Sequence, residues 1–207
     1  FNRDDPAVKD LSSQTKARVK FFSSNLVLGG LKLNANQSAA LTVSEIFDIE
    51  KEQSLKILSN FKGLSHRLEP VDTIKGVDFI NDSKATTVES LSWALANIHR
   101  PVILIAGGRD KGADFKAITD LVRRKVKTLI LIGEARDKIR DAYGSVVPIL
   151  DADTLKKAVE MAKGVALEGD CVLLSPMCAS FDMFKDYEER GNIFKQAVGQ
   201  LKNSNDY

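Results

Sequence analysis

The stretch Ile80-Asn81-Asp82-Ser83-Lys84-Ala85-Thr86-Thr87 decides how the chain is read. It follows the apolar alternation of Val77 to Ile80 and precedes the helical pattern Val88-Glu89-Ser90-Leu91-Ser92-Trp93-Ala94-Leu95. A strand ends, a polar turn follows and a helix begins. In open α/β sheets ligands bind there, outside the carboxyl ends of the strands. The turn sets a carboxylate, an amine and three hydroxyls beside the unpaired N–H groups of a helix start, which suits an anion. Lys84 opposes the helix dipole unless it neutralises an anion held at that same end.

Downstream the alternation repeats. Strands are predicted over 77–81, 102–106, 128–132, 147–150 and 171–175, and helices over 87–98, 115–124, 135–143, 154–166 and 185–201. Val102-Ile103-Leu104-Ile105-Ala106 is continuously apolar, as in a parallel strand covered on both faces. Strand alternating with helix gives βαβ units and an α/β doubly wound, mostly parallel sheet. Trp93 and Leu95 read as core, and His99 as surface. Upstream, Gly63 to Pro70 breaks the helical run and marks a domain boundary. Before it come a short helix over 7–15 started by Asp4 or Asp5, a strand at Val19–Phe22 and an ambiguous stretch with a Gly29-Gly30 turn. Helices over 36–47, capped by Asn36, and 51–61 follow. Helices without a complete sheet would expose apolar faces, so this opening reads as part of a larger α/β domain. The start at Phe1 reads as a fragment or a processed chain, and the tail 203–207 as frayed.

Composition narrows the partners. Net charge is +2, so no strong field favours nucleic acid or an anionic membrane. No apolar run approaches the roughly 20 residues of a membrane span, and no secretion signal opens the chain. Cys171 and Cys178 match no metal or redox spacing and read as reduced structural thiols of a cytosolic protein. His66 and His99 lack ligand-like neighbours, so no metal site made by this chain alone is expected.

In a parallel sheet every strand-to-helix turn emerges at one edge. Three such turns are charged: Asp82 to Thr87, Gly107-Gly108-Arg109-Asp110-Lys111-Gly112-Ala113-Asp114, and Ser175-Pro176-Met177-Cys178-Ala179-Ser180-Phe181-Asp182. The turn after Ile132 is plain. Gly107 and Gly108 let backbone N–H groups approach a ligand, Arg109 and Lys111 offer charge to a carboxylate or phosphate, and Asp114 can cap the next helix. Neither Gly-x-x-x-x-Gly-Lys-Ser/Thr nor Gly-x-Gly-x-x-Gly is present. No histidine follows Ser180 to act as a base, so Ser180 reads as a hydrogen-bond donor or a cap.

The motifs in chain order resemble the C-terminal part of the Mur ligase family. They are His66-Arg67-Leu68-Glu69, Asn81-Asp82-Ser83-Lys84-Ala85-Thr86, Gly107 to Gly112, Leu174 to Asp182, Phe184-Lys185 and Glu189-Arg190-Gly191. The Asp-Ser-Lys-Ala-Thr string resembles the branch that adds D-glutamate. The resemblance implies a Rossmann-like domain over 66–207, preceded over 1–65 by the end of the central ATP-binding domain. It implies a cytoplasmic, monomeric ligase of peptidoglycan precursor synthesis, acting on UDP-N-acetylmuramoyl-L-alanine and D-glutamate. ATP and Mg2+ would serve it, with the P-loop and metal ligands on upstream domains outside this chain. Thr86, Lys111, Ser180, Phe181 and Tyr187 would surround D-glutamate. Asn36, Arg67, Asp82 and Lys84 would line the nucleotide side, with Lys84 and Lys111 as catalytic cations. Phe181 and Tyr187 stand where the family usually has Leu and Phe, and Lys32-Leu33 where it has His-Asn. Two other readings are a non-catalytic amino-acid-binding module and a relative of folylpolyglutamate synthase.

Overall fold

The computed structural model describes residues 1–24, 26–28 and 30–203; Gly29 of the expected turn and the tail from Ser204 lie outside the described residues. The chain divides into two units, Phe1–Lys62 and Gly63–Tyr207.

In the first unit Asp5 accepts from Val8 N to start α1 (Pro6–Leu11), with Pro6 at its first position. A hairpin of β1 (Leu26–Leu28) and β2 (Leu31–Leu33) leads into α2 (Ala35–Ile46), and α3 (Lys51–Asn60) follows. The cap of α2 is Asn34, not Asn36: Asn34 and Gln37 each accept the other's backbone N–H at 3.0 Å, a capping box. The expected strand at Val19–Phe22 is absent. Only Phe22 bridges to Asn2, because no described strand runs beside the rest. Val43, Ile46, Phe47 and Ile57 are each more than half exposed.

The second unit is one mixed sheet with helices on both faces. In chain order it runs β3 (Glu69–Ile74), β4 (Val77–Asn81), α4 (Val88–Asn97), β5 (Val102–Gly107), a 3-10 turn (Phe115–Ile118), α5 (Thr119–Lys125), β6 (Val126–Ile132), α6 (Arg136–Tyr143), β7 (Ile149–Asp151), α7 (Leu155–Val165), β8 (Cys171–Leu174) and α8 (Tyr187–Asn203). The spatial order is β3-β4-β8-β5-β6-β7, parallel throughout except for β3. The period of two along β5 divides the core. Leu104 and Ala106 pack with residues of α4, α5 and α6, and Ile103 and Ile105 with residues of α7 and α8.

Two expectations change here. Strand β3 does not stand out in the sequence because Pro70 and Asp72 weaken its pattern. It forms because Lys75 and Gly76, at φ 50° and 74°, close a two-residue hairpin that sets Ile74 opposite Val77. An edge strand tolerates Pro70. Trp93 is 62% exposed, since the buried stripe of α4 runs through Val88, Leu91, Ala94 and Leu95 on the other face. No helix among the described residues is long and apolar enough to cross a membrane.

Candidate functional site

Strands β4, β8 and β5 are neighbours, with Asn81, Leu174 and Ile105 level across them. The three charged turns therefore leave the sheet side by side.

The turn after β4 is held by its side chains. Asp82 Oδ1 accepts from Leu68 N at 3.1 Å and Oδ2 from Ser175 Oγ at 3.0 Å. Burial pushes the Asp82 pKa up to about 6, against these hydrogen bonds and the nearby Arg67 charge. Ser83 Oγ accepts from Arg190 Nε at 3.0 Å and donates to Tyr187 O at 2.8 Å. Lys84 is fixed at both ends. Its N–H donates to His66 O at 3.1 Å, and Nζ donates to Tyr187 Oη at 3.1 Å while lying 4.6 Å from that ring's centroid. His66 to Glu69 wraps against this turn, with His66 and Leu68 at φ 63° and 40°. Glu69 Oε2 accepts from His66 N and Asn81 Nδ2, both at 2.9 Å, and Oε1 accepts from Lys195 Nζ at 3.1 Å. Burial works against the Glu69 charge, yet these donors outweigh it and hold its carboxyl below the usual range. Burial, with Lys195 nearby, lowers the His66 pKa, and its Nδ1 lies 3.0 Å from Asn81 Nδ2. Arg67 between them is exposed.

The turn after β5 is held by its backbone. Gly107 and Gly108 take φ 121° and 130°; a Cβ on the first would overlap the Ile132 carbonyl, and one on the second the Ala179 carbonyl. Arg109 N donates to Ala179 O at 2.9 Å, and Ala179 N donates back at 3.0 Å. Asp110 Oδ1 accepts from Gly112 N and Ala113 N at 2.9 Å each, and Oδ2 accepts from Lys138 Nζ at 2.6 Å. Arg109 is not offered to a ligand as expected: Glu134 takes its Nε and Nη2, both at 3.1 Å. Lys111 is exposed and makes no hydrogen bond or ion pair among the described residues.

In the turn after β8, Met177 N donates to Ala85 O and Pro176 O accepts from Gly107 N, both at 2.9 Å, so this turn bridges the other two. The Ser180 carbonyl accepts from Met183 N and Phe184 N at 3.1 and 2.9 Å, and the residue is buried. Phe181 is 64% exposed. Asp182 Oδ2 accepts from Glu134 N at 2.9 Å, which ties in the turn after β6 that read as plain. Cys171 and Cys178 are free and buried, which pushes both thiols up to about 12.

Thr86 and Lys111 line one open pocket of about 300 Å³ with Glu89, Asp114 and Met177. Lys84 pairs with Tyr187 outside this lining, and Asp82, held by Leu68 and Ser175, feels the Arg67 charge. Ser180 and Phe181 fall outside the pocket lining, and Asn36 is exposed on α2 of the first unit. Asn81, Glu69, Ser175 and Arg190 bind the turns together but carried no role in the sequence reading. Arg190 had a signal: it lies on the stripe of α8 shared by Phe194, Ala197 and Val198, which makes it a buried charge.

Residues 66–178 match the sequence model of the family described as Mur ligase, glutamate ligase domain. The chain belongs to the Mur ligase family. One relative, the UDP-N-acetylmuramoylalanine--D-glutamate ligase of Pelodictyon phaeoclathratiforme, is 48% identical over 167 residues, 81% of this chain and 36% of that protein. The chain thus spans about a third of the length of the curated relatives it matches. Among solved structures, E. coli FolC in complex with DHPP and ADP matches with TM-score 0.69 at 13% identity, covering 94% of this chain and 51% of that one. The MurF ligase of Thermotoga maritima in complex with ADP matches with TM-score 0.58 at 13% identity, covering 81% and 38%. At such identity the likeness is one of fold alone. Among the described residues of this Mur ligase chain, no three His, Cys, Asp or Glu side chains converge to hold a metal ion.

Proposed function

We propose that this chain carries the amino-acid-accepting part of an ATP-dependent amide-forming ligase that joins D-glutamate to UDP-N-acetylmuramoyl-L-alanine in peptidoglycan precursor synthesis. Residues 66–207 act as the Rossmann-like C-terminal domain, and residues 1–65 belong to the central ATP-binding domain. The observation that carries the reading is the pocket shared by Thr86 and the uncommitted cation Lys111, in a chain matched by the glutamate ligase domain.

The Lys111 ammonium and the Thr86 hydroxyl take a carboxylate of D-glutamate, while Glu89 and Asp114 on the same lining suit its amino group. Lys84, ordered against Tyr187, offers a fixed positive charge where anionic character grows during acyl transfer. Exposed Arg67 fits a phosphate group. Asp82, with both oxygens engaged, positions the turn that carries Lys84 and Thr86. When bound, ATP with magnesium activates the substrate carboxylate as an acyl phosphate; the residues of this chain bind, orient and neutralise charge.

Phosphate release with UDP-N-acetylmuramoyl-L-alanine, D-glutamate and Mg-ATP is the test. Lys111→Ala should raise the KM for D-glutamate at least tenfold and leave that for ATP within about twofold. An unchanged KM for D-glutamate removes Lys111 from the site. In a protein that also holds the central ATP-binding domain, D-glutamate binding without turnover favours the binding-module reading.

A further inference from the structure

We propose that Arg190 is a positioning residue that fixes the spacing between the turn after β4 and the turn after β8. Its effect on catalysis rests on the ligase reading above, but its effect on the two turns does not.

Arg190 is fully buried, yet its four hydrogen bonds all go to neutral oxygens. Nε donates to Ser83 Oγ at 3.0 Å and Nη2 to Ser83 O at 2.8 Å, both on the first turn. Nη1 and Nη2 each donate to Cys178 O at 3.2 Å, on the other. Burial lowers the guanidinium pKa to about 10, so it stays charged at neutral pH. Hydrogen bonds from a charged donor are shorter and stronger than neutral ones, and the planar fork fixes the angle between its acceptors. One rigid group thus spans the gap between Ser83, next to Lys84, and Cys178, two residues before Ser180.

The surroundings are shaped for it. A Cβ on Gly108 would come 3.3 Å from Arg190 Nη1, so the turn after β5 closes over the guanidinium. Next to Arg190, a Cβ on Gly191 would overlap the His66 ring, so glycine lets α8 approach closely enough for the side chain to reach both turns. Asp186, just before α8, and Glu189, on it, face elsewhere: their carboxylates accept from Glu189 N at 2.8 Å and Lys185 N at 2.6 Å, and the carboxylate whose charge favours the guanidinium is Asp182.

Hydrogen exchange of Arg190→Met, Arg190→Lys and Ser83→Ala variants tests the proposal in the intact protein. Both Arg190 variants should exchange at least tenfold faster at amides of residues 82–86 and 177–180 together, with Ala152 N–H, held by Leu131 O, within twofold of wild type. Ser83→Ala removes one acceptor and should show the same pattern more weakly, which keeps the test open if Arg190→Met does not fold. Loosening of one turn alone, loosening of the whole unit equally, or wild-type exchange in Arg190→Lys would overturn the proposal. In the ligation assay the Arg190 variants should raise the KM for D-glutamate about tenfold and that for ATP less than twofold. If the wild-type protein joined to its central ATP-binding domain does not ligate, the ligase reading ends, while the exchange pattern would still decide the role of Arg190.

Discussion

The turn after β4 and the turn after β5 carry the same kinds of charge and use them in opposite ways. In the first, Asp82 and Ser83 turn inward, and even Lys84 is held by Tyr187. In the second, glycine geometry and backbone pairing with Ala179 fix the path, Asp110 folds back onto the turn's own N–H groups, and the cations Arg109 and Lys111 lie at the surface. A turn held by side chains spends its polar groups on itself. A turn held by backbone keeps its cation for something else, and Lys111 is that cation.

The comparison breaks first at Gly108. Gly108→Ala adds a Cβ at φ 130° against the Ala179 carbonyl, which cannot move without disturbing the bridge to Arg109. Unfolding in urea should show a loss of about 3 kcal/mol. If the loss is negligible, backbone does not hold this turn.

The next effect tests the inward carboxylate of the first turn. Unfolded, Asp82 titrates near 3.8; folded, near 6. Between those values the folded protein keeps a proton that the unfolded chain has released. Stability from this group therefore falls as pH rises from about 4 to about 6, by about 2–3 kcal/mol, and is level above that. Asp82→Asn keeps an acceptor for Leu68 N and cannot ionise, so its stability should fall by that much less than wild type across the window. Parallel pH profiles for the two proteins would show that Asp82 is not buried as described.

A smaller loss, about 1 kcal/mol, is expected for Asp110→Ala, which removes the acceptor for Gly112 N and Ala113 N. Faster hydrogen exchange should be confined to residues 111–114. Smallest of all, Lys111→Ala should move the melting temperature by no more than about 2 °C. A larger drop would mean that Lys111 is committed to the fold.

The sequence reading reached the parallel strands because their apolar runs, such as Val102 to Ala106, leave no other place for them than a covered sheet. It missed β3, whose pairing depends on a turn at Lys75-Gly76 and not on its own pattern. It set Trp93 in the core because a large aromatic side chain is usually worth burying, whereas the helix phase turns it out. At the site, motif order pointed to Thr86 and Lys111, which do share a pocket. It did not show that Arg109 would be taken up by Glu134, since that partner lies 25 positions away and meets it only through the β5–β6 pairing. Nor did it assign the buried hydrogen bonds of Asn81, Ser175 and Arg190, whose partners Glu69, Asp82 and Ser83 lie 12, 93 and 107 positions away.

That insertion of β8 has a consequence for synthesis. The strand that fills the middle of the sheet is the last of the described strands to leave the ribosome, so β4 waits with its inner edge unpaired while about 90 residues are added, and β5 while about 60 are. Folding must then close contacts of long sequence separation, which is slow and leaves sticky edges exposed on the way. A chain that stops before Cys171 lacks the strand joining both halves of the sheet and cannot bring the three turns together. The topology thus makes the site a late product of the chain.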